Sequence, residues 1–147
     1  MNGIVCGTCG YVALDGKAPE NCPVCNTPKS GFSETENAIN QPADKENLTE
    51  LEQKHIPVVE VVKSCGLVPE GCQDALVRVG KILHPAEAEH VIVWIDLYND
   101  NEWISRVHLS SNVNPAIINH LKSGDTGKLS VVAFCNQHGK WIKEIDF

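Results

Sequence analysis

The sequence has no apolar run approaching the ~20 residues of a membrane-spanning helix, which excludes a transmembrane segment of that kind. It has no excess of basic residues either. The formal net charge is −7, whereas a nucleic-acid-binding surface is strongly basic. It also has no signal-peptide pattern at its start, because Cys6 and Cys9 follow almost at once. We therefore expect an intracellular, cytoplasmic protein.

Cysteine, by contrast, is plentiful, with 7 in 147 residues. Residues 1–33 are rich in Gly and Cys and too few to bury much core, so we expect a metal to hold this module together. Residues 34–53 carry six acidic side chains and one lysine, and predict an acidic, flexible linker. Residues 54–147 predict a second, larger domain.

Short β-branched runs separated by turns dominate the second domain. This pattern predicts a mainly β protein whose residues 54–147 form an immunoglobulin-like β-sandwich. Residues 116–121 suit either a short helix or a strand. The expected strands are Pro57–Lys63, Asp74–Leu83, Val91–Asn99, Trp103–Leu109, Lys128–Asn136 and Lys140–Ile145.

Four of the cysteines form two Cys-x-x-Cys knuckles, Cys6-Gly-Thr-Cys9 and Cys22-Pro-Val-Cys25. Each knuckle turns both sulfurs toward one point, and two knuckles complete a tetrahedral S4 site. The spacing indicates a metal site strongly but does not choose the metal, since four thiolates suit zinc or a single iron.

The histidines of the second domain need loops if they are to share a metal. His84 and His90 are six residues apart, which places them on different sides of a helix or about 20 Å apart on a strand. Cys135 and His138, followed by Gly139, suit a tight turn. By themselves, Cys135 and His138 could also be half of a zinc site. We expect these residues, with His55, on loops or strand ends at one side of the sandwich.

Two families resemble this chain. Cys9-Gly-Tyr11, Gly16-Lys-Ala-Pro19, Cys22-Pro-Val-Cys25, Pro28-Lys29 and Phe32 resemble a rubredoxin domain, most closely the short type that rubrerythrins carry. Lys54-His-Ile-Pro57, His84-Pro85 with His90, Val93-Trp-Ile-Asp-Leu-Tyr98 and Cys135-Asn-x-His138-Gly139 resemble superoxide reductase, the family of the neelaredoxins and desulfoferrodoxins.

These resemblances imply two iron ions. One is an electron-transfer iron on Cys6, Cys9, Cys22 and Cys25. The other is a catalytic non-haem iron with four equatorial imidazoles, His138 binding through a different ring nitrogen from the rest, and an axial thiolate. Its ligands would be His55, His84, His90, His138 and Cys135.

The function that the resemblance implies is one-electron reduction of superoxide to hydrogen peroxide. Lys54 would steer the anion into the site, and the rubredoxin-like module would re-reduce the iron. Expected partners are superoxide, a donor such as reduced rubredoxin or an NAD(P)H-dependent rubredoxin reductase, and further copies of the chain in a homo-oligomer. The alternatives are a non-enzymatic iron electron carrier, or a zinc ribbon joined to an immunoglobulin-like interaction module.

Two residues depart from the family pattern. The family often has Glu-Lys-His-x-Pro, and its Glu can take the sixth position on ferric iron. Here that position is Gln53, with Glu52 one residue earlier, so we expect a position that is open or holds water, or a shift that brings Glu52 in. Gln137 stands where the family often has an apolar residue, and would alter the polarity around the Cys135 sulfur.

Four further residues match no family ligand. We expect Cys65 and Cys72 to be reduced structural thiols, with a redox disulfide as the first alternative and metal binding as the second. His108 and His120 are expected to be ordinary surface or partly buried residues.

Overall fold

The computed structural model describes residues 1–68 and 71–147. The N-terminal module is a small antiparallel sheet of β1 (Gly3–Cys6), β2 (Val12–Ala13) and β3 (Phe32–Thr35). Its strand order is β2-β1-β3, and a 3-10 turn precedes β3. In the described ranges, no helical segment has the length and apolar character that crossing a bilayer requires.

The second domain is two antiparallel sheets packed face to face. Its elements are α1 (Glu50–His55), β4 (Pro57–Val62), β5 (Cys72–Val79), β6 (Ile92–Asn99), β7 (Glu102–His108), β8 (Ala116–Lys122), β9 (Lys128–Cys135) and β10 (Gly139–Asp146). One sheet has the order β10-β9-β6-β7 and the other β4-β5-β8. The predicted mainly β fold and sandwich are confirmed, and the ambiguous segment is strand β8. Strand β5 ends at Val79 rather than Leu83, because Gly80 takes a left-handed conformation (φ 89°).

The four-stranded sheet is covered on both faces. Side chains of a strand alternate between faces, so Ile95 and Leu97 point into the sandwich core. Trp94 and Tyr98 point the other way and pack against the N-terminal module. The Tyr98 hydroxyl donates a hydrogen bond to the carbonyl of Val12 at 3.0 Å. The two modules therefore share a second apolar core.

The acidic segment between the modules packs against both of them. Ile39 is fully buried, and its N–H donates to the carbonyl of Met1 at 3.2 Å. The N–H of Asn40 donates to the carbonyl of Lys140 at 2.8 Å. The domain boundaries at residues 33 and 53 stay a prediction. The buried side chain of Ile39 anchors this otherwise polar segment in the core that the two modules share.

Candidate metal centres

The four N-terminal cysteines converge on one point. The Sγ atoms of Cys6 and Cys25 are 3.7 Å apart, and those of Cys9 and Cys22 are 3.6 Å apart. A tetrahedral site with metal–sulfur bonds of about 2.3 Å has edges of about 3.8 Å, so the four sulfurs fit a single metal ion. A hydrogen bond with Thr27 lowers the pKa of the Cys25 thiol to about 6, which favours the thiolate that a metal needs.

Four imidazole rings form a square in the second domain. Neighbouring ring centroids are 4.7 Å apart for His55 and His84, 4.5 Å for His84 and His90, 5.0 Å for His90 and His138, and 4.7 Å for His138 and His55. The diagonal from His55 to His90 is longer, at 6.0 Å. Neighbouring planes cross at 64–81°. This is the arrangement that four equatorial ligands would take.

The thiol of Cys135 lies beside this square. Candidate ligand atoms of His55, His90, Cys135 and His138 all lie within 4.8 Å of one another. Cys135 is fully buried, whereas His90 and His138 are partly exposed. The sulfur therefore enters from the protein interior, and the rings next to it reach the surface.

Backbone carbonyls fix which ring nitrogen faces the centre. Nδ1 of His55 lies 2.7 Å from the carbonyl oxygen of Leu51, and Nδ1 of His84 lies 2.7 Å from that of Pro85. Such bonds orient metal-ligating imidazoles. The Nε2 atoms of His55, His84 and His90 are then buried without a hydrogen-bond partner in the described ranges. Buried polar atoms are rarely left unpaired, so these three nitrogens fit a metal ion.

His138 is turned differently from the other three. Its Nδ1 lies 3.6 Å from the Cys135 sulfur, as a ring facing the centre through Nδ1 would place it. The carbonyl oxygen of His138 accepts hydrogen bonds from the Asn40 side chain and the Trp141 indole, both at 3.0 Å. Asn40 and Trp141 therefore hold the turn in place, and the local sequence pattern carried no sign of either role.

Burial favours the neutral form of three of the imidazoles, those of His55, His84 and His90. It lowers the pKa of His84 to about 4 and also lowers the pKa values of His55 and His90. A neutral imidazole has the lone pair that a metal ion binds, whereas a protonated ring repels the ion.

Loops or strand ends were expected to carry all five side chains, and this is correct for four of them. His55 is the last residue of α1, so a helix end presents it. His84 follows β5 in a turn, His90 precedes β6, Cys135 ends β9, and His138 lies in the turn before β10.

Gly80 brings the His84 turn close to the end of α1. A Cβ atom at this position would lie against the carbonyl oxygen of Ile82 and only 2.6 Å from that of Lys54. The N–H of Ile82 also donates to the carbonyl of Gln53 at 3.1 Å. Only glycine allows this approach, which places His84 beside His55. In the sequence, the only indication of this close contact is the glycine four residues before His84.

Neither Gln53 nor Glu52 faces the centre. The Gln53 amide donates to the carbonyl of Leu48 at 2.9 Å. The Glu52 carboxylate accepts from the Thr49 backbone N–H at 2.7 Å and completes a capping box at the start of α1. Both side chains are engaged at the helix start, so the expected shift that brings Glu52 in does not occur.

Asn136 and Gln137 join the two loops of the site. The Asn136 side chain accepts from the N–H of Val91 and donates to the carbonyl of Glu89, both at 3.0 Å. Gln137 donates to the same carbonyl at 2.7 Å. The polar residue at 137 therefore binds the loop that carries His90.

The comparisons with known proteins match both parts of the chain. The sequence profile of the desulfoferrodoxin family matches residues 47–144, and that of the rubrerythrin rubredoxin-like domain matches residues 5–33. A superoxide reductase of Pyrococcus abyssi is 36% identical over 104 residues, covering 63% of this chain and 86% of the relative. A desulfoferrodoxin of Syntrophotalea carbinolica is 36% identical over 92 residues, covering 63% of each.

Solved structures agree with these matches. A superoxide reductase from Nanoarchaeum equitans has a TM-score of 0.56 and 29% identity, covering 67% of this chain and 97% of its own. A superoxide reductase from Treponema pallidum covers 95% of this chain and 98% of its own, with a TM-score of 0.59. At 22% identity, the second shows likeness of fold alone.

Replacing Gly80 with alanine should remove the metal from the histidine centre and leave the cysteine centre filled. The added Cβ pushes the His84 turn away from α1, and the left-handed backbone adds strain of about 1–3 kcal/mol. Gly124→Ala is the matched control, because Gly124 is also left-handed (φ 83°) but has nothing within 4 Å of the added Cβ. Iron per chain and the absorption of each centre measure the result. Two full iron sites in Gly80→Ala would contradict this role.

Proposed function

This chain belongs to the desulfoferrodoxin family, and we propose that it is a superoxide reductase. Superoxide takes up one electron and two protons and leaves as hydrogen peroxide. The observation that carries the proposal is the square of four imidazoles beside a buried thiol, with three ring nitrogens buried and unpaired within the described ranges. Iron suits this mixed nitrogen and sulfur set and, when bound, supplies the single electron.

The ligands in this proposal are His55, His84, His90, His138 and Cys135. The Cys135 side chain reaches the centre from the buried core. A small anion would therefore approach the centre from the opposite side, where the rings of His90 and His138 are partly exposed to solvent. With Gln53 and Glu52 both engaged at the start of α1, neither carboxylate nor amide from this segment competes for that approach.

Lys54 supplies a positive charge near this approach. Its Nζ is 2.6 Å from the Glu50 carboxylate, and the side chain is about one third exposed. The pKa values of His55 and His90 are lowered mainly by burial and, in smaller part, by the charge of Lys54, so that charge acts on the centre. We assign to Lys54 the steering of superoxide, with Glu50 partly cancelling its field.

The cysteine centre reaches the histidine centre through contacts within one chain. The Arg106 guanidinium donates to the carbonyl of Cys9 at 2.7 Å and lies 3.8 Å from the centre of the Trp94 ring. The Trp94 and Phe134 ring centroids are 5.3 Å apart, and Phe134 is bonded to Cys135. We propose that re-reduction from Cys6, Cys9, Cys22 and Cys25 follows this path.

The origin of the electrons and the setting of the reaction belong to the same proposal. Reduced rubredoxin or an NAD(P)H-dependent rubredoxin reductase would donate electrons to the cysteine centre. The chain would form a homo-oligomer. Ligation through five thiolates requires a reducing compartment, which favours the cytoplasm.

The reduced protein should convert each superoxide into one hydrogen peroxide without releasing dioxygen. A pulse of superoxide, with hydrogen peroxide and dioxygen measured afterwards, tests this. A dismutase would give half as much peroxide and release dioxygen. A simple electron carrier would leave superoxide to decay at its spontaneous rate. A zinc protein would lack the visible absorption of iron bound to thiolates, which a spectrum of the oxidised protein measures. Any of these three results would overturn the proposal.

Neutralising Lys54 and neutralising Glu50, which form an ion pair on α1, should change the rate of superoxide capture in opposite directions. Lys54→Met should slow the second-order reaction roughly threefold to tenfold at low ionic strength and flatten its salt dependence. Glu50→Gln should speed it, since the field of Lys54 is no longer cancelled. Lys17→Met, on the exposed surface of the N-terminal module, is the control. Equal slowing by Lys17→Met would mean that net charge, not Lys54, matters.

Trp94→Leu should slow electron transfer between the two centres while leaving superoxide consumption by the fully reduced protein unchanged. Flash reduction of the cysteine centre, followed by its reoxidation, measures the internal rate. Trp103→Leu is the control, because Trp103 packs in the same core between the modules but outside the proposed path. A rate that depends on protein concentration, or that is equal in both variants, would refute the internal path.

A further inference from the structure

A third group of metal-ligating side chains lies at the far end of the three-stranded sheet. It consists of Cys65, Cys72, Asp74 and His120, and one candidate ligand atom from each lies within 4.8 Å of every other. Strand β5 runs from this group to Val79, beside the His84 turn. Its eight residues span about 24 Å, so the group is separate from the histidine centre.

Strand geometry brings three of the four together. Cys72 and Asp74 are two residues apart on β5 and share a face. Asp74 lies directly opposite His120 of β8 in the antiparallel register. Cys65 lies shortly after the end of β4, and its sulfur accepts a hydrogen bond from the N–H of Val68 at 3.4 Å.

The Nδ1 atom of His120 lies at the centre of this group. It is 2.8 Å from an Asp74 carboxylate oxygen, 3.2 Å from the Cys65 sulfur and 3.5 Å from the Cys72 sulfur. A ring nitrogen carries at most one proton, so hydrogen bonding pairs it fully with only one of these three atoms. A cation between the four groups would satisfy all of them at once.

The distances suit a tetrahedral ion. With metal–sulfur bonds of about 2.3 Å and metal–nitrogen or metal–oxygen bonds of about 2.0 Å, the edges of the tetrahedron are about 3.3–3.8 Å. The Cys72 sulfur is 3.5 Å from the Asp74 oxygen, and both sulfur–nitrogen distances fall close to this range. Only the Asp74–His120 edge is shorter, and it would lengthen by about half an ångström on binding.

We propose that Cys65, Cys72, Asp74 and His120 bind a zinc ion. Two thiolates, one imidazole and one carboxylate are zinc ligands, and a set of four protein ligands leaves no open position, which is typical of a structural site. The ion would fasten Cys65 to the ends of β5 and β8. The proposal gives His120, which was expected to be an ordinary surface or partly buried residue, the role of a ligand.

Zinc titration of the iron-loaded protein under anaerobic conditions tests the proposal. We expect one zinc per chain beyond the two irons, with zinc and iron measured in the same samples so that displacement of iron is counted separately. His120→Ala should weaken zinc binding more than about 100-fold, because loss of even an outer-shell partner costs 10–100-fold. His108→Ala, an exposed histidine of β7, is the matched control and should bind zinc as the parent does.

A second measurement covers variants that fold poorly. Zinc should protect Cys65 and Cys72 of the unsubstituted protein from alkylation, as read by mass spectrometry, and Asp74→Asn should reduce that protection. Three results would each overturn the proposal: no extra zinc, equal affinity in the parent and His120→Ala, or a Cys65–Cys72 disulfide in protein kept under reducing conditions.

Discussion

A buried ion pair between Asp96 of β6 and Arg106 of β7 holds the Arg106 guanidinium against the N-terminal module, and the proposed path between the metal centres depends on it. Both side chains are almost fully buried, and two hydrogen bonds of 2.5 and 2.6 Å connect them. Burying two charges is costly, and such a pair is stable only when its geometry is good and its remaining hydrogen-bonding groups are satisfied. Arg106 meets this condition by donating to Cys9 and stacking on Trp94. Removing one partner would leave a buried charge, which costs about 3–5 kcal/mol.

That junction explains why the N-terminal module is held in one orientation. An apolar interface alone tolerates sliding, since the hydrophobic effect is not directional. The guanidinium of Arg106 has fixed donor directions, and the Tyr98 hydroxyl adds a second directional contact to Val12. The cysteine centre is therefore positioned relative to β6, and β6 is paired with β9, whose last residue is Cys135.

Local pattern predicted the parts of the molecule where short spacing decides the geometry. The Cys-x-x-Cys knuckles and the β-branched strands are of this kind. The capping box Thr49-x-x-Glu52 was equally readable, and would have shown that Glu52 is engaged at the helix start. The ligand role of the histidines came from family resemblance, because residues far apart in sequence meet only through the fold. Metal binding was only the second alternative for Cys65 and Cys72. That Asp74 and His120 join them could not be predicted, since it depends on the register of Asp74 against His120, and residues 116–121 suited a helix as well as a strand.

The distribution of the seven cysteines follows from the chemistry proposed for the chain. Hydrogen peroxide oxidises thiolates that are exposed and free, first to sulfenic acid and then irreversibly. All seven cysteines belong to one of three convergent groups, and Cys135 is fully buried. A protein that makes peroxide beside its own thiols is protected if each sulfur is buried or bound to a metal. Cys65 is the thiol outside the two iron centres that is not buried, and a zinc ion would hold it together with Cys72 as a ligated thiolate. Zinc has no redox chemistry of its own, so it could protect these sulfurs without taking part in the electron path.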